Sequence, residues 1–284
     1  MLGILVGLLN AASHASLNVF LKKLSDVHPH TLTVLRTAGA LPILALAVTL
    51  FSNWGIPPLP FWLLAALAVT PIEVALAYTG TKALQLSPMS IIAPLSAFTS
   101  VFLIPVGFIV LGELPSALGL LGVLAIFIGS LLLGFEPETA FFTGIRQKIK
   151  ERGILLAFLA AFLASVTISI TKVTFQYAPP LVAAFYINLL ITLALIPLIR
   201  RHGGAELRGH KTLAAGLIAS QGIGAVLHPL GLALLPAVYF ISVKRLGLLM
   251  NVIAGKFLFE ETHLRERLAG AALMVGGVVL IALG

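Results

Sequence analysis

The sequence predicts an all-α, polytopic membrane protein whose ten transmembrane helices form two inverted five-helix repeats, and three observations carry that prediction. Apolar runs long enough to cross a bilayer follow one another from end to end. Charged residues make up only 10% of the 284 positions against 59% apolar, with a mean hydropathy of +1.09, whereas a soluble domain carries roughly a quarter charged residues. The two halves of the chain also repeat the same landmarks at a nearly constant spacing. No hydrophilic block is large enough for a separate soluble domain. The formal net charge of +8 does not point to nucleic acid, because the basic residues sit mainly in short loops between apolar runs, as membrane topology requires. With no Cys, a disulfide framework and a thiolate metal site are both excluded.

A helix rises about 1.5 Å per residue, so some 20 residues cross the roughly 30 Å hydrocarbon layer. Cutting at Pro, Gly and charged clusters gives spans at 2–24, 29–51, 60–84, 88–111, 116–134, 153–177, 180–200, 212–234, 236–259 and 264–283. The first lacks a basic leader and an A-x-A cleavage pattern, so it is expected to be a retained span. The third holds Pro71, which removes a backbone donor and should kink the helix. Pro88 and Pro236 open the fourth and ninth spans, where a missing N–H costs nothing. Residues 135–152 form the only long polar segment and divide the chain into halves.

Those halves correspond. An offset of 150 carries Gly3-Ile4-Leu5 onto Gly153-Ile154-Leu155, Lys22 onto Lys172 and Pro29 onto Pro179. An offset of 148 carries Pro88 onto Pro236, Glu113 onto Glu261, Gly122 onto Gly270 and Gly129 onto Gly277. Residues 1–134 and 153–284 are therefore expected to be two copies of one unit, joined by 135–152. Because each copy has an odd number of spans, the second enters the membrane from the opposite side. Inverted repeats of this kind place a solute site near the midplane and work by alternating access. Except for Arg36, Lys172, Lys244 and Arg245, every Lys and Arg falls in the loops after odd-numbered spans or at the span ends that flank them, Lys256 at the end of the ninth included. By the positive-inside rule those loops are cytoplasmic and both termini lie outside.

The first functional candidates are Lys244 and Arg245, close to the middle of the ninth span, since cations at that depth cost at least a few kcal/mol each unless they meet a partner, water or a ligand. A Lys supplies a point charge and an Arg a planar fork, and together they suit a carboxylate or phosphate. Asn251 lies seven residues beyond Lys244 on the same helix face, and Arg245 is turned about 100° away. The other readings are an internal ion pair with Glu73 or snorkelling toward the interface. Glu73 follows Pro71, and the 148 offset sets it against Gln221 in the second copy. A buried carboxyl there could couple to protons or serve only as a counter-charge.

Asn10, His14 and Asn18, with Ser13, make a polar stripe on the first span, echoed by Ser165, Ser169, Lys172 and Gln176 on the sixth. The stripe faces a cavity or makes interhelical hydrogen bonds. Asn188 and Thr192 share a face of the seventh span, with Tyr186 pointing elsewhere. Arg36, about two turns into the second span, is expected to snorkel. Glu113 and Glu261 are expected to cap helix starts. The rows Gly119, Gly122, Gly129 and Gly270, Gly276, Gly277 are expected to pack helices closely.

The five-plus-five pattern, the Ser16-to-Lys22 end of the first span, SPMSIIAPLSAF opening the fourth, Leu111-Gly112-Glu113 closing it and Phe259-Glu260-Glu261 closing the ninth resemble the EamA-type drug/metabolite transporter superfamily, over essentially the whole chain. The resemblance implies a multi-pass carrier of the plasma membrane, with both termini cytoplasmic, opposite to the loop charges. Val243-Lys244-Arg245 is similar to the Lys-Arg pair with which triose-phosphate translocators hold phosphate. Phe185-Tyr186-Ile187-Asn188 is similar to the FYNN motif of some nucleotide-sugar transporters, with Ile187 in place of an Asn. The Gly-Ala-Leu-Asn-Lys motif of their ninth helix is absent.

The expected function is secondary transport of a small organic solute, anionic or zwitterionic, with Lys244, Arg245, Asn188, Tyr186, His14, Asn10 and Asn251 as candidate contacts. No phosphate-binding loop for ATP occurs, and no cofactor or metal is called for. The chain is expected to be a monomer or homodimer in the bilayer, with no nucleic acid partner and no enzymatic activity. The alternatives are an intramembrane enzyme acting on a lipid phosphate, from Glu73, His14, Lys244 and Arg245, and a lipid translocase. The spread of polar residues over both copies and the lack of paired metal-binding carboxylates weigh against the enzyme.

Overall fold

In hydrocarbon every backbone N–H and C=O must be satisfied within the chain, and consecutive helices are the means open to a sequence this apolar. A computed structural model describes residues 1–24, 26–27, 29–86, 95–133, 151–199, 209–250 and 268–284, and among these there is no strand. Each of the ten expected spans carries helix in its described part. Leu2–Leu21, Thr31–Phe51, Leu59–Gly80, Arg152–Thr174, Pro180–Pro197 and Lys211–Leu234 are long and apolar enough to cross a membrane, and Phe98–Leu111, Ala117–Leu133 and Ala269–Leu283 are shorter apolar helices. The sixth span ends at Thr174 instead of 177, because the next three N–H groups bond only three residues back. Pro88, Asn251, Glu261 and most of the 135–152 connection lie outside the described residues.

The third span shows what Pro71 does. It runs as α-helix over Leu59–Leu64, widens into a π turn over Ala65–Val69, and resumes as α-helix from Thr70 to Leu86. The proline leaves a carbonyl without its donor one turn earlier, and the widened turn takes up the defect. Ala65 O accepts both the N–H of Thr70 and its Oγ1, the latter at 2.8 Å.

The described residues form two compact units, each assembled from both halves of the sequence: Leu2–Val74 with Ile170–Leu235, and Ala75–Ser169 with Pro236–Gly284 and Met1. In the first, the first and eighth spans run antiparallel. Asn10 Nδ2 donates to Gly224 O at 2.9 Å and Ser13 Oγ to Ser220 O at 2.5 Å, while Gly216 abuts Phe20 and Gly3 abuts Leu235. The second and eighth spans run parallel, with Gly39 against Ile218 and Gly222 against Ile43. Phe61, Ala65, Val69, Val182 and Ile187 form the core where the third and seventh spans meet.

In the second unit the fifth and tenth spans cross with their backbones touching. A Cβ on Gly122 would lie 2.6 Å from Gly277 O, and one on Gly129 would lie 2.5 Å from Gly270 O. The 148 offset carries Gly122 to Gly270 and Gly129 to Gly277, so it turns one contact into the other. Equivalent helices that run antiparallel and exchange the same contact are related by a twofold, the signature of an inverted repeat. Gly119 packs on the Tyr239 ring, whereas Gly276 has nothing within 4 Å and takes no part in the crossing expected of it.

Candidate functional site

The ninth span does not cross as one regular helix. It is helical over Ala237–Lys244, then tightens at Arg245, whose N–H is shared between Ile241 O at 3.3 Å and Ser242 O at 3.0 Å, while Leu248 N bonds Arg245 O at 2.9 Å. The shorter bonds reach three residues back, the 3₁₀ type, which in mid-helix marks strain or a hinge. The fourth span tightens in the same way, with Thr99 N on Ser96 O at 3.2 Å and Ser100 N on Ala97 O at 3.1 Å. The 148 offset superimposes the Ser100–Ala97 bond on the Leu248–Arg245 bond, so both copies carry the same turn at the same place.

At that turn Arg245 reaches the fourth span. Its Nη1 donates to Ser96 Oγ at 3.0 Å and its Nη2 to Ser96 O at 2.6 Å. Both terminal nitrogens of the fork are thus taken by one serine, and Lys244 beside it is half-buried. Nε of Arg245 and the hydroxyls of Ser100 and Ser242 are buried with no hydrogen-bond partner among the described residues. Asn251, the third polar residue expected on this helix, lies outside them.

The fourth span ends on Gly112 in the left-handed conformation at φ 68°, with Glu113 N bonded back to Gly107 O. That ending, which favours Gly, turns Glu113 so that its Oε2 accepts the N–H of Ala237 at 2.8 Å. Glu113 therefore does cap a helix start, but the helix is the ninth, not the fifth as the chain order suggests. The fifth is capped by Ser116, whose Oγ accepts Gly119 N at 3.0 Å, and the N–H of Ser116 goes to the Tyr239 hydroxyl at 2.7 Å. Each helix start is held by a group from the neighbourhood of the other.

In the other unit Arg36 does not snorkel. Its Nε donates to Gln221 Oε1 at 3.1 Å, and the Glu73 carboxylate acts on it electrostatically. Of the two residues singled out from the sequence as counterparts, Gln221 thus contacts a cation from the second span, and Glu73 lies within electrostatic reach of it. The polar stripe of the first span divides: Asn10 and Ser13 are buried against the eighth span, whereas His14 is exposed and lies 3.4 Å from Asn18 on its own helix. Lys172 Nζ donates to Leu235 O at 2.7 Å, a cation at the carboxyl end of the eighth span, where the helix dipole favours it. Asn188 Nδ2 bonds Ala184 O one turn back at 2.9 Å. The Thr192 hydroxyl is buried without a partner among the described residues. Tyr186 stacks edge-on against Trp62 at 5.1 Å and Phe185 at 5.4 Å.

An inverted repeat of apolar spans with charges held inside them defines a multi-pass membrane protein. The sequence model of the EamA-like transporter family matches residues 1–135 and 151–283, and the chain belongs to that family, whose members are membrane transporters of small solutes. A solved crystal structure superposes on 99% of this chain and 98% of its own at a TM-score of 0.78 and 15% identity, which shows a shared fold. No curated protein matches the chain.

Sequence reasoning did not single out Ser96 or Tyr239, and it read Arg36 as an interfacial cation. Ser96 had an unused signal, since the 148 offset places it on Lys244. For Arg36 the signal was a cation inside a span otherwise free of charge.

Proposed function

We propose that this protein is a secondary carrier that moves a small organic anion or zwitterion across the plasma membrane by alternating access. One observation carries the choice of solute: Arg36, Lys244 and Arg245 all lie inside spans, against the single carboxylate Glu73. Apolar surroundings tolerate such an imbalance where an anion is to be received. Two copies, 1–134 and 153–284, joined by 135–152, fit the two stretches matched by the family, and inverted copies are the usual basis of alternating access. Lys244 is offered as a direct solute contact, with Arg245 holding the fourth and ninth spans together through Ser96. The carrier works without cofactor, metal or nucleic acid, as a monomer or homodimer, with both termini outside.

Counterflow in proteoliposomes tests the reading. Exchange of a labelled organic anion with no chemical change is the expected result, and formation of a product would replace the carrier with an intramembrane enzyme. Movement of labelled phospholipid between leaflets, with no flux of soluble anions, would make it a lipid translocase.

A further inference from the structure

We propose that Arg36, oriented by Gln221, receives the anionic group of the transported solute, a carboxylate in preference to a phosphate; this rests on the carrier reading above. The two arginines deep inside spans, Arg36 and Arg245, are used in opposite ways. Arg245 commits Nη1 and Nη2 to Ser96 and keeps only a buried Nε. Arg36 bonds through Nε alone, at 3.1 Å to Gln221 Oε1, and among the described residues its Nη1 and Nη2 make no hydrogen bond. Those two nitrogens form the edge of the guanidinium that matches a carboxylate or phosphate with two parallel bonds.

The anchoring makes that edge useful. An arginine free to rotate would lose side-chain entropy on binding, whereas one held at Nε has lost part of it already. Gln221 suits the task because its carbonyl oxygen fixes the guanidinium plane without adding charge. The Glu73 carboxylate, within electrostatic reach of Arg36, lowers the net positive field there, which favours a singly charged oxyanion over a multiply charged one. Depth agrees as well: Arg36 lies about 10 Å along the helix from Pro29, a full two turns past the helix start. A guanidinium there gains most from a partner that enters with the solute.

The test is a thermal-shift titration of the full chain in neutral detergent, with acetate and inorganic phosphate as probes and chloride at matched ionic strength as the reference. The parent should be stabilised by acetate at lower concentration than by phosphate. Arg36→Gln should lose both responses. Arg36→Lys, which keeps the charge but not the fork, should need about tenfold more acetate, the loss of roughly one charge-assisted hydrogen bond. Gln221→Met should weaken the acetate response without abolishing it, and Gln221→Asn should restore it in part, a graded pattern that a packing defect alone would not give. If Arg36→Gln does not elute as a monodisperse species, Arg36→Lys decides.

Equal responses of the parent and both Arg36 variants, with loss in Lys244→Ala, would overturn this assignment and leave the anion carrier standing. No response of the parent to either anion would overturn both. Abolition of the acetate response by added phosphatidylglycerol would assign the fork to a lipid headgroup and overturn the solute role.

Discussion

The crossing of the fifth and tenth spans is the sharpest place to test the fold energetically. A methyl at Gly122 would sit 2.6 Å from Gly277 O, 2.8 Å from Ile281 Cγ1 and 3.0 Å from Ile281 N. Carbon and carbonyl oxygen come no closer than about 3.3 Å in ordinary contacts. Gly122→Ala must therefore part the helices by about 0.7 Å, and two of its three obstacles are backbone atoms that cannot swing aside. A gap of that size forfeits a quarter to a half of the dispersion energy along the seam. Overpacking of this kind costs about 1–3 kcal/mol. Gly129→Ala meets Gly270 O in the same way and should cost about the same. One outward shift of the two helices relieves both clashes, so the double variant should be less destabilised than the sum of the singles. Gly276→Ala, with nothing within 4 Å, is the control and should be close to neutral. Equilibrium unfolding in mixed detergent micelles measures all four. A stable Gly122→Ala beside a destabilised Gly276→Ala, or strict additivity in the double variant, would refute the described crossing.

Other consequences follow from the caps and the loops. Glu113→Ala leaves Ala237 N–H without its carboxylate and should cost about 1 kcal/mol, whereas Glu113→Gln, which still offers an oxygen, should recover most of it; unfolding midpoints decide, and a fully stable Glu113→Ala would count against the cap. Tyr239→Phe removes the acceptor of Ser116 N–H and should destabilise by about 1–3 kcal/mol, unless a rise in hydrogen exchange at Ser116 fails to appear. A cysteine placed in the 135–152 connection should resist an impermeant thiol reagent added outside intact cells, and prompt labelling would reverse the proposed orientation.

Much of the architecture was legible because hydrocarbon imposes a length and an apolar composition on every span. Even the local defect of the third span could be anticipated, since Pro71 has no N–H to give. The glycine pairs at offset 148 were visible too, although their contact was not. What a sequence leaves open is which side of a helix meets which neighbour. Glu113 was read as serving the helix next in the chain, yet the turn at Gly112 sends it to the ninth. Arg36 was read as an interfacial residue because its depth along one helix is readable, while Gln221, 185 residues away, is not. Likewise the pair at Lys244 and Arg245 was legible as two adjacent cations, but the three-residue turn and the serine of the fourth span that hold Arg245 were not.

The matched turns at Ala97 and Arg245 also show where duplication has been kept and where it has been abandoned. The main chain repeats one bond there, Ser100 to Ala97 and Leu248 to Arg245, yet one copy presents a methyl group and the other a guanidinium that clasps the facing span. An exact duplication would make the two copies interchangeable. At this turn an arginine in one copy and a methyl group in the other break that equivalence, so the asymmetry between the copies is carried here by side chains on a shared backbone turn.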